Sequence, residues 1–298
     1  MRPARRGGRR ARGLLVLRLR PDDRAVSGVV AASLGVVLIS VLLGMVVTFW
    51  VPAWGYDSEV AHSRDMVNAF GEFKKALELQ AIQANTDQSL STSFPLGVGA
   101  VPLFGAETPG QLSHQFLDQG RPRFRANLTD LTGQVNYTAA ASLEYFMPNR
   151  YYVPQRMAYE TGAILVSQAD GEAARLTPPF RFENGTAGID AYFTLFTLDG
   201  PETTVSGVEG HGVSSRLSLV QTRTQSFSPN GTITLNVTSA FSGAWYDYFG
   251  RAMNGSSINS SLYNLTRSPA NQPEWASLRL AGVRSVTVTV AVIQVRID

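Results

Sequence analysis

One long apolar stretch near the amino terminus dominates the hydropathy pattern of this chain. Residues Ala25 to Tyr56 include no Asp, Glu, Lys or Arg over 32 positions. An α-helix rises about 1.5 Å per residue, and roughly 20 apolar residues cross the hydrocarbon core of a bilayer. The pattern therefore predicts a transmembrane helix over residues 26–51. Trp50 and Trp54 are expected to mark its outer end, because tryptophan prefers the headgroup layer.

A second helix is predicted over residues 57–84, where apolar residues recur at steps of three or four. They form one stripe: Met66, Phe70, Phe73, Leu77 and Ala81. We expect Pro52 to interrupt the helical backbone before this stalk helix, and Asp57-Ser58-Glu59 to cap its start. Such a stripe packs either against the protein's own β-rich part or against neighbouring copies in a filament.

Residues 90–298 show the short alternating runs that are typical of β-strands. Strands are predicted over residues 163–168, 191–198, 217–227, 232–239 and 285–297, and one helix over residues 239–253. In the last strand the alternation changes phase near Val292 and Ile293, which predicts a bulge or burial on both faces. The predicted fold class is α+β: a transmembrane helix and an amphipathic stalk helix, followed by a mainly antiparallel, sandwich-like ectodomain.

Charge is distributed unevenly along the chain. Nine arginines and two aspartates precede Ala25, which gives that segment a net charge of +7, whereas 17 basic and 21 acidic residues follow it, for a net −4. The positive-inside rule places the amino terminus in the cytoplasm and the carboxyl-terminal domain outside the cell. The predicted localisation is thus a single-pass cell-membrane protein in contact with lipid. A nucleic-acid partner is not expected, because the basic charge is confined to the leader.

The residues directly before the apolar run form a recognisable pattern, Asp22-Asp23-Arg24-Ala25-Val26-Ser27-Gly28. It resembles the class III signal of archaeal type IV pilins and archaellins. The resemblance implies that a prepilin-type peptidase cuts between Ala25 and Val26, with Arg24 as the preceding charge. Residues 1–25 would then be a cleaved leader. The pattern departs from the family at Val30, where bacterial pilins usually carry glutamate, and at Gly28, where many archaeal members have proline.

The overall layout, with a leader, an apolar helix, a polar helix and a β-rich domain, also resembles uncharacterised archaeal pilin-like surface proteins. That resemblance implies other pilin-like subunits as partners, beside the peptidase and the lipid. An uncut signal anchor, oriented by its arginines alone, is the alternative interpretation of the amino-terminal segment.

Asparagine occurs unusually often in N-x-S/T frames, which are acceptors for N-glycosylation in exported proteins. Chance would give about two such frames among the 12 asparagines of the chain, whereas the sequence has eight. They are Asn127, Asn136, Asn184, Asn230, Asn236, Asn254, Asn259 and Asn264. All lie after the apolar stretch, on the side predicted to be outside. Turn dipeptides such as Asn184-Gly185 offer a plainer explanation for some of them.

Signals for catalysis are weak, and we predict no catalytic residue, no cofactor and no metal site. The chain has no cysteine, and His62, His114 and His211 stand in no metal-ligand or catalytic pattern. Tyrosines and phenylalanines concentrate between Tyr145 and Tyr159, where they either stack sugars or, more simply, pack in the core.

Two functions remain open at this point. The first is a pilin-like, membrane-anchored cell-surface protein with a structural, adhesive or assembly role. The second is a signal-anchored ectodomain that binds or processes a glycan or another cell-envelope ligand without forming filaments.

Overall fold

The computed structural model describes residues 23–100, 106–118, 120–269 and 274–298, so residues 1–22 of the predicted leader lie outside the described residues. The chain forms two compact units, one that ends at Phe49 and one over Trp50–Asp298. The fold class is α+β, because a long apolar amino-terminal helix is followed by a β-rich domain with mainly antiparallel sheets.

Helix α1 spans Asp23–Met45 and is followed by a π-helical segment, Val46–Trp50, and by helix α2, Val51–Gln83. The predicted interruption at Pro52 is wrong. The chain stays helical through Pro52, and the ladder of i→i−4 hydrogen bonds changes instead in the π-helical turn Val46–Trp50 directly before it. Asp57 accordingly lies inside α2 and does not cap it.

The second unit contains sixteen strands among its described residues. Their bounds are β1 (Ser89–Pro95), β2 (Gly110–Gln115), β3 (Leu117–Asp118), β4 (Arg121–Pro122), β5 (Phe124–Asp130), β6 (Asn136–Ala140), β7 (Ser142–Met147), β8 (Gln155–Glu160), β9 (Ala163–Gln168), β10 (Gly171–Leu176), β11 (Phe180–Gly185), β12 (Gly188–Asp199), β13 (Thr203–Gly207), β14 (Gly210–Ser239), β15 (Tyr263–Arg267) and β16 (Trp275–Ile297). Helix α3 (Ser242–Gly255) and a short 3-10 helix (Ser260–Leu262) lie between β14 and β15. The predicted helix over residues 239–253 is thus confirmed with its start three residues later.

The strands form two large sheets and one small hairpin. The eight-stranded sheet has the order β11-β12-β16-β14-β5-β6, with β1 also paired to β14 and β15 to β16. The six-stranded sheet has the order β10-β9-β8-β7-β2-β13, and β3 pairs with β4. Neighbouring strands are antiparallel except β12 and β16, which run parallel. The two strands predicted over residues 217–239 are one strand, β14, whose register shifts between Ser226 and Gly231.

Both large sheets contribute to two hydrophobic cores. The α3 core contains Trp245 and Phe249 of α3, and the α2 core contains Phe70 and Phe73 of α2. The buried side chains of strand β16 change from one face of the sheet to the other along its length. Those up to Val288 pack in the α3 core, and those from Ala291 onward pack in the α2 core. The strand is therefore buried on both faces, as the sequence predicts, with the change a few residues earlier. The bulge lies in the partner strand, between Leu217 and Leu219 of β14.

The apolar stripe of α2 packs against the protein's own β-rich part. Met66, Phe70, Phe73 and Leu77 are fully buried in the α2 core, and Ala81 is partly buried against it. Phe73 contacts Phe94 of β1 and Tyr159 of β8 edge to face, with ring centroids 5.9 and 5.3 Å apart. The intramolecular alternative for this stripe is thus the observed one.

Helix α3 begins without a side-chain cap of its own, because Phe241 occupies the N-cap position. Glu172 of β10 supplies the missing acceptor, and its Oε2 binds the backbone N–H groups of Gly243 and Ala244 at 2.9 and 3.2 Å. A carboxylate at a helix amino terminus is favoured both by the orphan N–H groups and by the helix dipole. This contact fixes α3 to the edge of the six-stranded sheet.

Candidate functional site

The side chains of the apolar amino-terminal segment are exposed. One helix among the described residues, Gly28–Gln83, is long and apolar enough to cross a membrane, and its most apolar window has a mean hydropathy of 2.7 with none of it buried. Val29, Leu34 and Phe49 are 71, 64 and 66% exposed. Burial of such side chains is worth roughly 1.5–3 kcal/mol each, so this surface favours an apolar environment.

The predicted processing site lies at the start of α1. Arg24, Ala25 and Val26 all fall within the Asp23–Met45 helix, one turn or less from its first residue. Their side chains are outside the described part of the structure.

Buried polar side chains of α2 bind the β-rich part of the chain. The carboxylate of Glu59, 1% exposed, accepts hydrogen bonds from the backbone N–H groups of Arg150, Tyr151 and Tyr152 at 2.9, 2.8 and 2.6 Å. It also accepts one from the Thr108 hydroxyl at 2.9 Å. Glu59 thus holds the loop after β7 instead of capping its own helix.

His62 continues this set of contacts one turn further along α2. Its Nε2 lies 2.8 Å from the Tyr145 hydroxyl, which donates to the backbone carbonyl of Leu96 at 2.6 Å. Since the single hydroxyl proton goes to Leu96, Nε2 of His62 must carry a hydrogen and donate to Tyr145. Burial lowers the pKa of His62, against the opposing charges of Asp65 and Glu59. His62 is therefore a structural histidine.

Two further side chains bind the carboxyl-terminal half of α2 to the sheets. The Lys74 ammonium donates to the backbone carbonyl of Gly162 at 2.6 Å, and Gln80 Nε2 donates to that of Ser215 at 2.8 Å. Sequence reasoning missed these contacts, because an isolated Lys or Gln in a helix reads as a solvated residue. The stalk helix is in fact an integral part of the domain.

Four of the predicted glycosylation asparagines lie on the outer face of the eight-stranded sheet. Asn127, Asn136, Asn236 and Asn264 alternate along their strands with residues that pack in the α3 core. Asn127 and Asn236 are paired across β5 and β14. Asn127 is half-buried and accepts a hydrogen bond from the Thr138 hydroxyl at 2.9 Å, whereas the other three are exposed.

The other four asparagines lie on turns and ends around α3 and the β11–β12 hairpin, and all are exposed. Asn184 Nδ2 donates to the carbonyl of Ser257 at 2.9 Å, and Asn230 Nδ2 donates to that of Ala187 at 3.1 Å. Asn254 lies in the last turn of α3, and Asn259 caps the short 3-10 helix. None of the eight asparagines lies on α2 or on a strand of the six-stranded sheet.

A polar cavity of about 310 Å³ opens on the six-stranded sheet, and we name it the arginine cavity. It is lined by Gln111, Ser113, Gln115, Arg123, Glu144, Tyr145, Phe146 and Arg156. Glu144 Oε2 accepts hydrogen bonds from Arg123 at 2.9 Å and from Arg156 at 3.4 Å, and its Oε1 accepts one from Ser142 at 3.0 Å. Among the predicted sugar-stacking aromatics, Phe146 is the one whose ring is substantially exposed here, at 40%.

A second carboxyl, that of Glu160, lies on the same face of the sheet but is sealed from solvent. It is fully buried, and it accepts hydrogen bonds from Trp245 Nε1 at 2.7 Å and from the Ser239 hydroxyl at 2.9 Å. Burial raises its pKa to about 8. Because Trp245 and Ser239 cover it, Glu160 does not form an accessible acid–base pair with Glu144.

The remaining histidines occupy unrelated positions. His114 is buried, and its Nδ1 lies 3.1 Å from the carbonyl of Pro201, while Nε2 has no hydrogen-bond partner among the described residues. Burial lowers the pKa of His114. His211 lies in β14, with Nδ1 3.0 Å from the terminal Asp298 carbonyl. Within residues 23–298, apart from the gaps given above, no three His, Asp or Glu side chains are grouped as a metal site.

Two larger cavities flank α2. One of about 560 Å³ lies between α2 and the six-stranded sheet and includes Arg64 and Arg175. The other, about 590 Å³, lies at the carboxyl-terminal end of α2 beside Ile82 and Phe196, and its lining is mostly apolar side chains and threonines. Neither brings together a set of residues with recognisable chemistry.

Comparison with known proteins gives one match. No curated protein and no solved structure matches the chain. One family model, described as a family of unknown function (DUF7289), matches residues 24–296, which include helix α1 from its second residue and almost all of the second unit. The chain belongs to this family, DUF7289.

Proposed function

We propose that this chain is a pilin-like, membrane-anchored cell-surface protein with a structural, adhesive or assembly role, and not an enzyme. The observation that carries the proposal is the contrast between its two apolar helical segments. The apolar stripe of α2 is buried in the protein's own core, whereas the apolar side chains of α1 are exposed. A surface of this kind requires lipid or the same helix of other subunits.

The charges and the sequons support a direction of insertion. The arginine-rich segment precedes α1 and the eight sequons follow it, which favours a β-rich domain outside the cell. Seven of the eight asparagines are exposed in the structure, which is compatible with glycans on this domain. The signal before α1 supports processing by a prepilin-type peptidase, after which the helix stays on the mature chain.

The absence of cysteine makes the orientation directly measurable, since one introduced thiol is the only thiol in the chain. Thr86→Cys places it on an exposed turn after α2, and Gly8→Cys places it in the leader. Both are expressed in cells that lack a prepilin-type peptidase, so that the leader is retained. We expect a membrane-impermeant maleimide to label Thr86→Cys in intact cells, and to label Gly8→Cys only after the cells are opened.

Wild-type chain, which offers no thiol, is the matched control for background labelling. Labelling of Gly8→Cys in intact cells, or protection of Thr86→Cys there, would reverse the proposed orientation. Equal labelling of both in soluble extracts without membranes would show that the chain is not anchored.

The alternative, a ligand-binding ectodomain without a filament, gains one specific observation. The arginine cavity groups charged, amide and aromatic side chains of β2, β7 and β8, which carry no sequon, with Arg123 from the bend before β5. This favours a surface protein with a binding role over one that only holds its neighbours.

A further inference from the structure

We infer that the arginine cavity binds an acidic saccharide, with its carboxylate on Arg123 and Arg156 and its sugar ring on Phe146. The inference gives the adhesive form of the proposed function a ligand class and rests on it. The two tests are separate: the purified chain can fail to bind an acidic saccharide even when maleimide labelling confirms the membrane orientation.

The charge of the cavity favours an anion. Its lining carries two guanidinium groups and one carboxylate. Both oxygens of Glu144 are already engaged, by Ser142 on one side and by the two arginines on the other. Glu144 is 8% exposed, so it acts as a fixed support for the guanidinium groups and not as a competing ligand at the opening.

The arginines retain donors for a ligand. Arg123 uses Nη1 toward Glu144 and the Ser113 hydroxyl, and Arg156 uses Nη2 toward Glu144. Their other guanidinium nitrogens make no hydrogen bond to the described residues. The planar fork of a guanidinium matches the two oxygens of a carboxylate, and such charge-assisted pairs are the strong ones. Arg156 is also held in place by the Phe241 ring, with its Cζ 5.7 Å from the ring centroid.

The neutral part of the lining suits a sugar. The amide of Gln115 donates to the Thr204 hydroxyl at 2.9 Å, which leaves its carbonyl oxygen to accept from a ligand hydroxyl. Gln111 is exposed on the same face of β2, with Ser113 between it and Gln115. The exposed ring of Phe146 offers an apolar surface beside them. A volume of about 310 Å³ is at the small end of the range for ligand sites, roughly 300–1,000 Å³, which suits a single terminal sugar.

The test uses the purified full-length chain in detergent and a disaccharide that ends in glucuronic acid. Its neutral counterpart, which ends in glucose, and inorganic sulfate are titrated in parallel by calorimetry or ligand-detected NMR. We expect the acidic disaccharide to bind at least about tenfold more tightly than the neutral one, since one charge-assisted hydrogen bond is worth about a factor of ten or more. We also expect it to bind more tightly than sulfate, which can pair with the guanidinium groups but has no sugar ring for Phe146 and no hydroxyl for Gln115.

Variants locate the site. Arg156→Gln should weaken binding of the acidic disaccharide about tenfold, and Phe146→Ala should also weaken it, while neither should unfold the chain, because both side chains are 40% exposed or more. Arg175→Gln, an exposed arginine beside a different cavity, is the matched control and should change the affinity less than about twofold.

Four results would overturn the inference. The first is no binding of the acidic disaccharide by folded wild-type chain. Equal binding of the acidic and neutral disaccharides would remove the role of the arginines. If sulfate bound as tightly as the acidic disaccharide, the cavity would recognise an anion and not a saccharide. An equal loss with Arg175→Gln would show only a general effect of charge.

Discussion

Phe73→Ala is expected to destabilise the β-rich domain by about 3–5 kcal/mol, the usual cost of removing a fully buried phenylalanine. Phe73 is 0% exposed and packs edge to face against Phe94 and Tyr159, so its removal opens a cavity where α2 meets both sheets. Aromatic pairs of this geometry add to the loss beyond the buried area itself. The effect is read as a shift of the guanidinium unfolding midpoint of the full chain in detergent, followed by tryptophan fluorescence.

The same helix supplies a control for Phe73→Ala. Ile82 is 82% exposed, so Ile82→Ala should change the free energy of unfolding by no more than about 0.5 kcal/mol. If Phe73→Ala were as mild as Ile82→Ala, the stripe of α2 would not be packed on the β-rich domain. The stripe would then be available for assembly between copies, which is the arrangement that the structure disfavours.

Glu160→Gln is expected to remove a large pH dependence from the stability of the domain. The pKa of Glu160 is raised by burial to about 8, whereas an unfolded chain would titrate this carboxyl near its ordinary value of 4.5. The carboxyl is thus protonated in both states below pH 4.5, and its contribution to stability is fully present there. As the pH rises from about 4.5 to 8, only the unfolded chain releases the proton, and stability falls.

The size of this loss follows from the difference between the two pKa values. A difference of one pKa unit corresponds to about 1.4 kcal/mol. Through this group the wild-type chain should therefore lose on the order of 4 kcal/mol of its free energy of unfolding between pH 4.5 and pH 8. Glutamine keeps an acceptor for Trp245 Nε1 and carries no charge to bury. The variant should therefore be about as stable as wild type at pH 5 and clearly more stable at pH 9.

The comparison between variant and wild type isolates Glu160 from the buried histidines. His62 and His114 have lowered pKa values because of burial, so they remove stability as the pH falls below about 6.5, the opposite direction. They are present in both proteins and cancel in the difference. Glu183→Gln, at an exposed carboxyl, should leave the wild-type pH dependence in place. If the free energy of unfolding changed by the same amount in Glu160→Gln and in wild type between pH 5 and pH 9, Glu160 would not be a neutral buried carboxyl.

The elements with strong periodic patterns could be predicted from the sequence. The stripe from Met66 to Leu77 determines which face of α2 is buried, and the alternating valines of β16 determine that strand and its change of phase. In each case the apolar side chains themselves carry the energy, so the pattern and the packing have the same cause.

The polar anchors of α2 could not be predicted, because their partners are remote in sequence. Glu59 reads as a first-turn acid, yet its carboxylate binds backbone N–H groups about ninety residues away. Likewise, Glu160 lies in a strand whose neighbours give no sign that Trp245 will cover it. The arginine cavity depends on the order of β2, β7 and β8 in the sheet, which no local pattern encodes.

The start of the mature chain tests the central proposal most directly. Peptide mass spectrometry of the protein purified from membranes of a host with a prepilin-type peptidase should give Val26 as the first residue. Ala25→Leu should retain the leader, because the resemblance places a small residue before the cut, whereas Ser27→Ala, a matched small substitution after it, should be processed normally. An intact leader in the wild-type chain, or a first residue beyond Trp54, would contradict a pilin-like subunit that keeps its apolar helix.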